Sequence, residues 1–137
     1  MIVFDKKNIR ISKPEDIAKI LQAILKSEDK IDQDKEHFYA IHLNSRNIIK
    51  LIELVSLGTL DSGLIGPRET FRRAVIEGIA QIMVAHNHPS GETDPSEADI
   101  IITRKLEEAG KILDIELLDH IIFTADSFLS MKEERIL

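Results

Sequence analysis

Two histidines and one aspartate in the segment 86–99 have the types and the spacing of metal ligands. His86 and His88 are two residues apart and directly follow an apolar run that is typical of a buried strand. Residues i and i+2 of an extended chain point the same way, so both imidazoles can face one point. Asp99 follows in a segment with helical spacing. Two histidines and one carboxylate suit a catalytic zinc ion, which keeps a fourth position open for water.

A purely structural role is the alternative interpretation of the same residues. Paired histidines are common in polar loops, and Ser96 with Asp99 could form a Ser-x-x-Asp helix cap. We predict Asp94 as the N-cap of this helix and Pro95 as its first residue, because both types favour those positions. Ser96 and Asp99 would then share one face of the first two turns. From the residues alone, the metal site and the plain cap both stay open.

The elements that must position these residues alternate between helices and apolar strands. The spacing of apolar residues predicts helices over 14–26, 67–79 and up to Gly110, and strands over 38–43, 48–57, 81–85 and 112–124. A loop is predicted over 58–66, which contains three glycines. Helices interleaved with apolar strands indicate a layered α/β domain.

Residues 1–35 are predicted to be peripheral to this domain. The stretch 27–36 is mostly charged and is typical of a solvated loop, so an N-terminal helix and charged linker would precede a main domain over 36–137. The helix over 14–26 has an apolar face that needs a partner. That partner would be either the domain itself or a second copy of the chain in a homodimer.

Composition excludes several classes of protein. The chain has 137 residues, 43% of them apolar, which is enough for a real core. There is no cysteine, so disulfide scaffolds, cysteine-ligated zinc and thiol catalysis are excluded. The net charge of −6 disfavours direct binding of nucleic acid, since phosphate contacts need a cationic surface. Neither a secretory signal nor a membrane-spanning run is found, which predicts a cytoplasmic protein without membrane contact.

Several motifs together resemble a known family of metalloproteases. His86-Asn87-His88-Pro89, with Ser96 and Asp99 downstream, resembles the JAMM motif of MPN-type metalloproteases. The RadC-like branch of that family is similar in three further strings, in matching order: Pro67-Arg68-Glu69, His86 to Gly91, and Leu118-Asp119-His120. The likeness covers roughly 36–133. It implies a single three-layer-like α/β domain of the MPN or cytidine-deaminase-like kind, with a mixed sheet flanked by helices.

The resemblance also implies a role for each candidate residue. His86, His88 and Asp99 would hold Zn²⁺, which lowers the pKa of a water and polarises a substrate carbonyl. Glu36 matches the general base of the family, and Ser96 matches the group that donates to the oxyanion.

Other residues keep alternative roles at this stage. Glu53 and Glu77 are rivals to Glu36 by residue type alone. His120 is either a core histidine or a residue supporting the site, and Arg68 is either a surface residue or part of an ion pair near it.

Three functions follow from these observations, in decreasing order of preference. The first is a zinc-dependent hydrolase that attacks an amide or isopeptide bond in a peptide or protein substrate. The second is a non-enzymatic RadC-like factor in DNA repair or mobile-element biology that acts through protein partners. RadC-like proteins usually carry a helix-hairpin-helix region as well, whereas residues 1–35 contain one clear helix, so this chain resembles the catalytic-type domain alone. The third is a phosphodiesterase or nuclease.

Overall fold

Six strands form one mixed sheet in the computed structural model, which describes residues 1–4, 9–58 and 65–137. The strands are β1 (Ile2–Phe4), β2 (His37–Leu43), β3 (Ile49–Leu57), β4 (Gln81–Asn87), β5 (Glu116–Phe123) and β6 (Phe128–Ser130). The helices are α1 (Pro14–Lys26), the short α2 (Lys30–Gln33), α3 (Pro67–Glu77) and α4 (Glu97–Leu113). No helix in these described ranges is both long and apolar enough to cross a membrane.

The order of the strands in the sheet is β1-β3-β2-β4-β5-β6. β2 pairs with β3 and with β4 in antiparallel fashion, whereas β4 and β5 run parallel. Parallel neighbours need a crossover connection, and α4 supplies it here. The carboxyl ends of β4 and β5 therefore lie at the same edge of the sheet, where Asn87 is opposite Phe123.

Apolar clusters cover both faces of the sheet and make the domain three layers deep. Neighbouring residues of β2 alternate between the clusters, because successive side chains of a strand point to opposite faces. Tyr39 lies in the cluster that includes Ile17 and Leu21 of α1. Phe38 lies in the cluster that includes Phe71 of α3 and Leu106 of α4. This single α/β domain with a mixed sheet between helices confirms the fold class predicted from the sequence.

The N-terminal helix packs directly on the sheet. Ile17, Ala18 and Leu21 of α1 are 0%, 1% and 0% exposed and belong to the larger apolar cluster. β1 also adds to the edge of the sheet beside β3. The boundary at residue 35 stays a prediction, as does the homodimer, but this packing argues that α1 is part of the core.

The helix predicted to end at Gly110 is α4, and it continues beyond that glycine. α4 continues to Leu113, and Asp114 in the left-handed conformation (φ 58°) closes it. A Cβ atom on Gly110 would lie 2.4 Å from the carbonyl oxygen of Ile115, so glycine at this position allows a close approach of the chain. Of the loop predicted over 58–66, residues 59–64 lie outside the described part of the chain.

Candidate metal centre

The three predicted metal ligands meet at the carboxyl end of β4. His86 is the penultimate residue of that strand and His88 follows it, and their Nε2 atoms lie 2.9 Å apart. Asp99, in the first turn of α4, places Oδ1 3.3 Å from His86 Nε2 and Oδ2 3.2 Å from His88 Nε2. One ligand atom from each residue lies within 4.8 Å of the other two. This is the convergence that the His-x-His spacing and the following helix predict.

The His88 ring is oriented by a hydrogen bond on its outer side. Its Nδ1 lies 2.8 Å from the carbonyl oxygen of Glu92. A carbonyl oxygen can only accept, so Nδ1–H is the donor and the neutral ring carries its lone pair on Nε2, facing the cluster. A metal ligand must present a free nitrogen in this way, so the ring is already in the tautomer that a metal needs.

Asp99 is held by a reciprocal cap at the start of α4. Ser96 Oγ accepts from the backbone N–H of Asp99 at 3.0 Å, and Asp99 Oδ2 accepts from the backbone N–H of Ser96 at 2.9 Å. Ser96 is therefore the N-cap, and the prediction of Asp94 as N-cap with Pro95 as the first helical residue is wrong. Both Asp and Ser suit an N-cap, but the paired bonds satisfy two donors at once at Ser96.

The charges of the cluster support one another. Burial raises the pKa of Asp99, but hydrogen bonds from His86 and His88 outweigh it and hold that pKa well below its usual range. The hydrogen bond with Asp99 in turn raises the pKa of His88 against the effect of partial burial. Asp99 is consequently an anion. A proton taken up by His88 lies on Nε2 and is bonded to Asp99, and a metal would displace that proton.

A surface cavity of about 740 Å³ opens onto the cluster. Among the described residues that line it are His88, Asp99, Glu36 and Ser96. Glu36 is half-buried, and its negative charge contributes to raising the pKa of His88. The structure therefore brings both predicted catalytic residues to the side of the centre that a substrate can reach. Their catalytic roles stay predictions.

The rival carboxylates lie elsewhere. Glu53 is buried on β3 beside His42 Nε2, at 3.4 Å. Glu77 ends α3 and contacts Arg73 at 3.6 Å. Neither is among the described residues that line the cavity, so the geometry favours Glu36 over both.

Asn87 fixes the backbone on both sides of Glu36. Its Oδ1 accepts from the backbone N–H of His37 at 2.6 Å, and its Nδ2 donates to the carbonyl oxygen of Lys35 at 3.0 Å. The carbonyl oxygen of Glu36 itself accepts from the N–H of Gly58 at 2.9 Å. The residue between the two candidate histidine ligands thus holds the segment that carries the candidate base. The i, i+2 rule predicts only that Asn87 points away from the candidate metal ligands. Its contact with His37 spans 50 residues, so no local pattern in the sequence indicates it.

Comparison with known proteins gives the same family as these motifs. The RadC-like JAB domain family matches residues 11–136, nearly the whole chain. The chain belongs to that family. Proteins named UPF0758 are among its relatives: one from Desulforamulus reducens is 41% identical over 124 residues, and one from Staphylococcus epidermidis is 44% identical over 130. These alignments cover 90% and 95% of this chain and 52% and 54% of the relatives, so the chain spans about half their length.

Two of the sequence motifs that resemble the RadC-like branch lie outside the metal cluster, and their residues His120 and Arg68 have different surroundings. His120 is buried on β5 directly behind His86, with His120 Nε2 2.8 Å from His86 Nδ1. Arg68 lies at the start of α3 beside a surface groove that Phe71 and Val75 also line. His120 therefore supports the cluster, while Arg68 is not among the described residues that line the cavity.

The sequence analysis missed one residue of the candidate metal centre, Thr103. It is buried on α4 and contacts His120 Nδ1 at 2.6 Å. Its position four residues after Asp99 on the same helix places it on the same face, and this spacing is the one local signal that could have identified it.

Proposed function

We propose that this chain is the metal-binding unit of a zinc-dependent hydrolase that attacks an amide or isopeptide bond. The observation that carries the proposal is the convergence of His86, His88 and Asp99 beneath a cavity that Glu36 and Ser96 line. Membership of the RadC-like JAB family supports it, since the motif resembles that of the JAMM metalloproteases.

The chemistry of the ligand set fits zinc. Two imidazoles and one carboxylate are a common set for a catalytic zinc ion with one open position. The ionised Asp99 and the inward-facing lone pair of His88 are the forms that bind a metal. When bound, zinc would lower the pKa of a water and polarise the substrate carbonyl.

Glu36 and Ser96 would carry out the proton transfers and stabilise developing charge. The Glu36 carboxylate takes a proton from the attacking water and returns it to the leaving amine. Ser96 Oγ acts only as an acceptor in the helix cap, so its O–H stays available to donate to the carbonyl oxygen as that atom gains charge. Capping and catalysis therefore use different parts of the same hydroxyl group.

The charge of the cavity rim supports a peptide or protein substrate over a nucleic acid. Asp34, Glu92 and Asp94 line the cavity in addition to Glu36, whereas Lys35 is the one lysine among the described lining residues, and the chain carries a net charge of −6. A phosphate backbone would be repelled by such a rim.

The test is hydrolysis by the zinc-loaded protein of peptide, isopeptide and nucleic-acid substrates, side by side. Glu36→Gln should keep its zinc and lose turnover by about a hundredfold or more, because the general base is removed. Glu92→Gln is the matched control, since Glu92 is also a glutamate at the cavity, and it should keep both zinc and turnover.

The outcomes separate the three functions predicted from the sequence. Cleavage of a peptide or isopeptide by the wild type but not by Glu36→Gln supports the hydrolase. Equal turnover in the two proteins would reassign the base. Cleavage of the nucleic acid instead would favour a phosphodiesterase, and tight zinc binding without any cleavage would favour the non-enzymatic factor that acts through protein partners.

A further inference from the structure

A chain of three hydrogen bonds connects two of the metal ligands behind the cluster. His86 Nδ1 lies 2.8 Å from His120 Nε2, and His120 Nδ1 lies 2.6 Å from Thr103 Oγ1. Thr103 Oγ1 lies 2.7 Å from the backbone carbonyl oxygen of Asp99. All of these contacts are buried, so water does not compete for them. The chain begins at one ligand, His86, and ends at the backbone of another, Asp99.

The direction of every proton in this chain follows from its last member. A carbonyl oxygen can only accept, so the single hydroxyl proton of Thr103 goes to Asp99. The sulfur of Met131, 3.4 Å away, is a much weaker acceptor for that proton. Thr103 Oγ1 then has only lone pairs left for its other neighbour, and His120 Nδ1 must be the donor between them.

The same logic continues through His120 to the metal ligand. A neutral His120 that is protonated on Nδ1 has its lone pair on Nε2, where it accepts from His86 Nδ1–H. His86 therefore keeps its proton on Nδ1, and Nε2 is the nitrogen that it presents to His88 and Asp99 for a metal.

We propose that Thr103 and His120 are positioning residues that fix the His86 tautomer in its metal-binding form before any metal arrives. A ligand histidine usually donates its second N–H to a carboxylate, a carbonyl oxygen or a water. A carboxylate or a carbonyl oxygen can only accept, so the direction of that hydrogen bond is fixed, whereas a water can reorient. A histidine behind a ligand histidine is ambiguous, since either ring can be the donor. Thr103 removes this ambiguity because its own proton is committed to Asp99.

Thr103→Val tests the relay with nearly the same side-chain volume. Without the hydroxyl, His120 Nδ1–H has no acceptor, and the proton order that keeps His86 Nε2 free is lost. Zinc affinity, measured by competition with a chelator, should fall about ten- to a hundredfold, as for other outer contacts of metal ligands. Thr103→Ser keeps a hydroxyl and should keep wild-type affinity.

The decisive measurement is the tautomer in the metal-free protein, read from the ¹⁵N shifts of the imidazole nitrogens. The wild type should carry the proton on Nδ1 of both His86 and His120, and Thr103→Val should change this order. His88 is the internal control, because its Nδ1–H donates to Glu92 and should be unaffected.

The proposal rests on the metal-binding part of the proposed function, but the two can fail separately. A wild type in which His86 is protonated on Nε2 but not on Nδ1, or a zinc affinity unchanged in Thr103→Val, would overturn the relay while the hydrolase stands. A wild type with the expected tautomers that binds no zinc would keep the relay and overturn the zinc hydrolase.

Discussion

Two histidine–carboxylate groups lie on the same face of the sheet, and only one has the form of a metal centre. His86 lies at the carboxyl end of β4 and is paired with Phe38 of β2. His42 follows Phe38 by four residues on β2 and is paired with Ile82 of β4. Both histidines are fully buried, and both are near a carboxylate: Asp99 in the first case and Glu53 in the second. Burial and ion pairing alone therefore do not distinguish the two sites.

The difference lies in what holds the far side of each ring. His86 and His88 each have a partner at Nδ1, so their Nε2 atoms are left for a common point beside an open cavity. His42 Nδ1 is buried with no hydrogen-bond partner among the described residues, and Nε2 has the single neighbour Glu53. A metal site thus needs oriented lone pairs and a route for entry, whereas the His42 pair is closed.

The largest expected effect is on zinc binding. His88→Ala should reduce zinc affinity by more than about a hundredfold, since removing a ligand costs more than removing a contact behind one. His42→Gln should keep one zinc per chain, because His42 is in no possible metal-binding group among the described residues. Metal analysis of both proteins after dialysis checks this. Equal zinc content in the wild type and His88→Ala would contradict the assignment of the site.

The predicted effect of Ser96→Ala is intermediate and has two parts. Loss of the cap bond to the Asp99 N–H should cost about 1 kcal/mol of stability. Loss of the hydroxyl donor should lower turnover by about a hundredfold on any substrate that the wild type cleaves. Thermal unfolding and turnover are measured on the same preparation. A stability loss with unchanged turnover would leave Ser96 as a helix cap only.

The part of the centre that is local in sequence could be predicted. The three candidate ligands could be grouped from local signals alone, without the order of the strands. These signals are the i, i+2 spacing of His86 and His88 and the helix that follows them. The layered α/β fold followed from the alternation of helices and apolar strands in the same way.

The remaining features depend on long-range pairing or on competition between similar residues. His120 meets His86 because β5 lies beside β4, and apolar spacing does not give the order of strands. α1 has an apolar face, but the pattern does not say which surface covers it. Asp94 and Ser96 both suit an N-cap, and only the reciprocal bonds with Asp99 select Ser96.

The smallest expected effect is a pH dependence of stability that comes from the closed pair. Burial lowers the pKa of His42 from its ordinary value near 6.5, although Glu53 acts in the opposite direction. As the pH falls through that value, the unfolded chain takes up a proton at His42 while the folded chain does not. The free energy of unfolding therefore keeps its full value above this pH and decreases below it, by at most about 1.4 kcal/mol for each pH unit.

Urea unfolding with a chelator present, between pH 7 and 5, should show a shallower decrease in His42→Gln than in the wild type. Any contribution from His120 or His88 is common to both proteins and cancels in the comparison. The same slope in the two proteins would mean that folding does not change the pKa of His42. A shallower decrease in the wild type than in His42→Gln would mean that the folded chain keeps the proton, and the pair would then be an ordinary buried salt bridge.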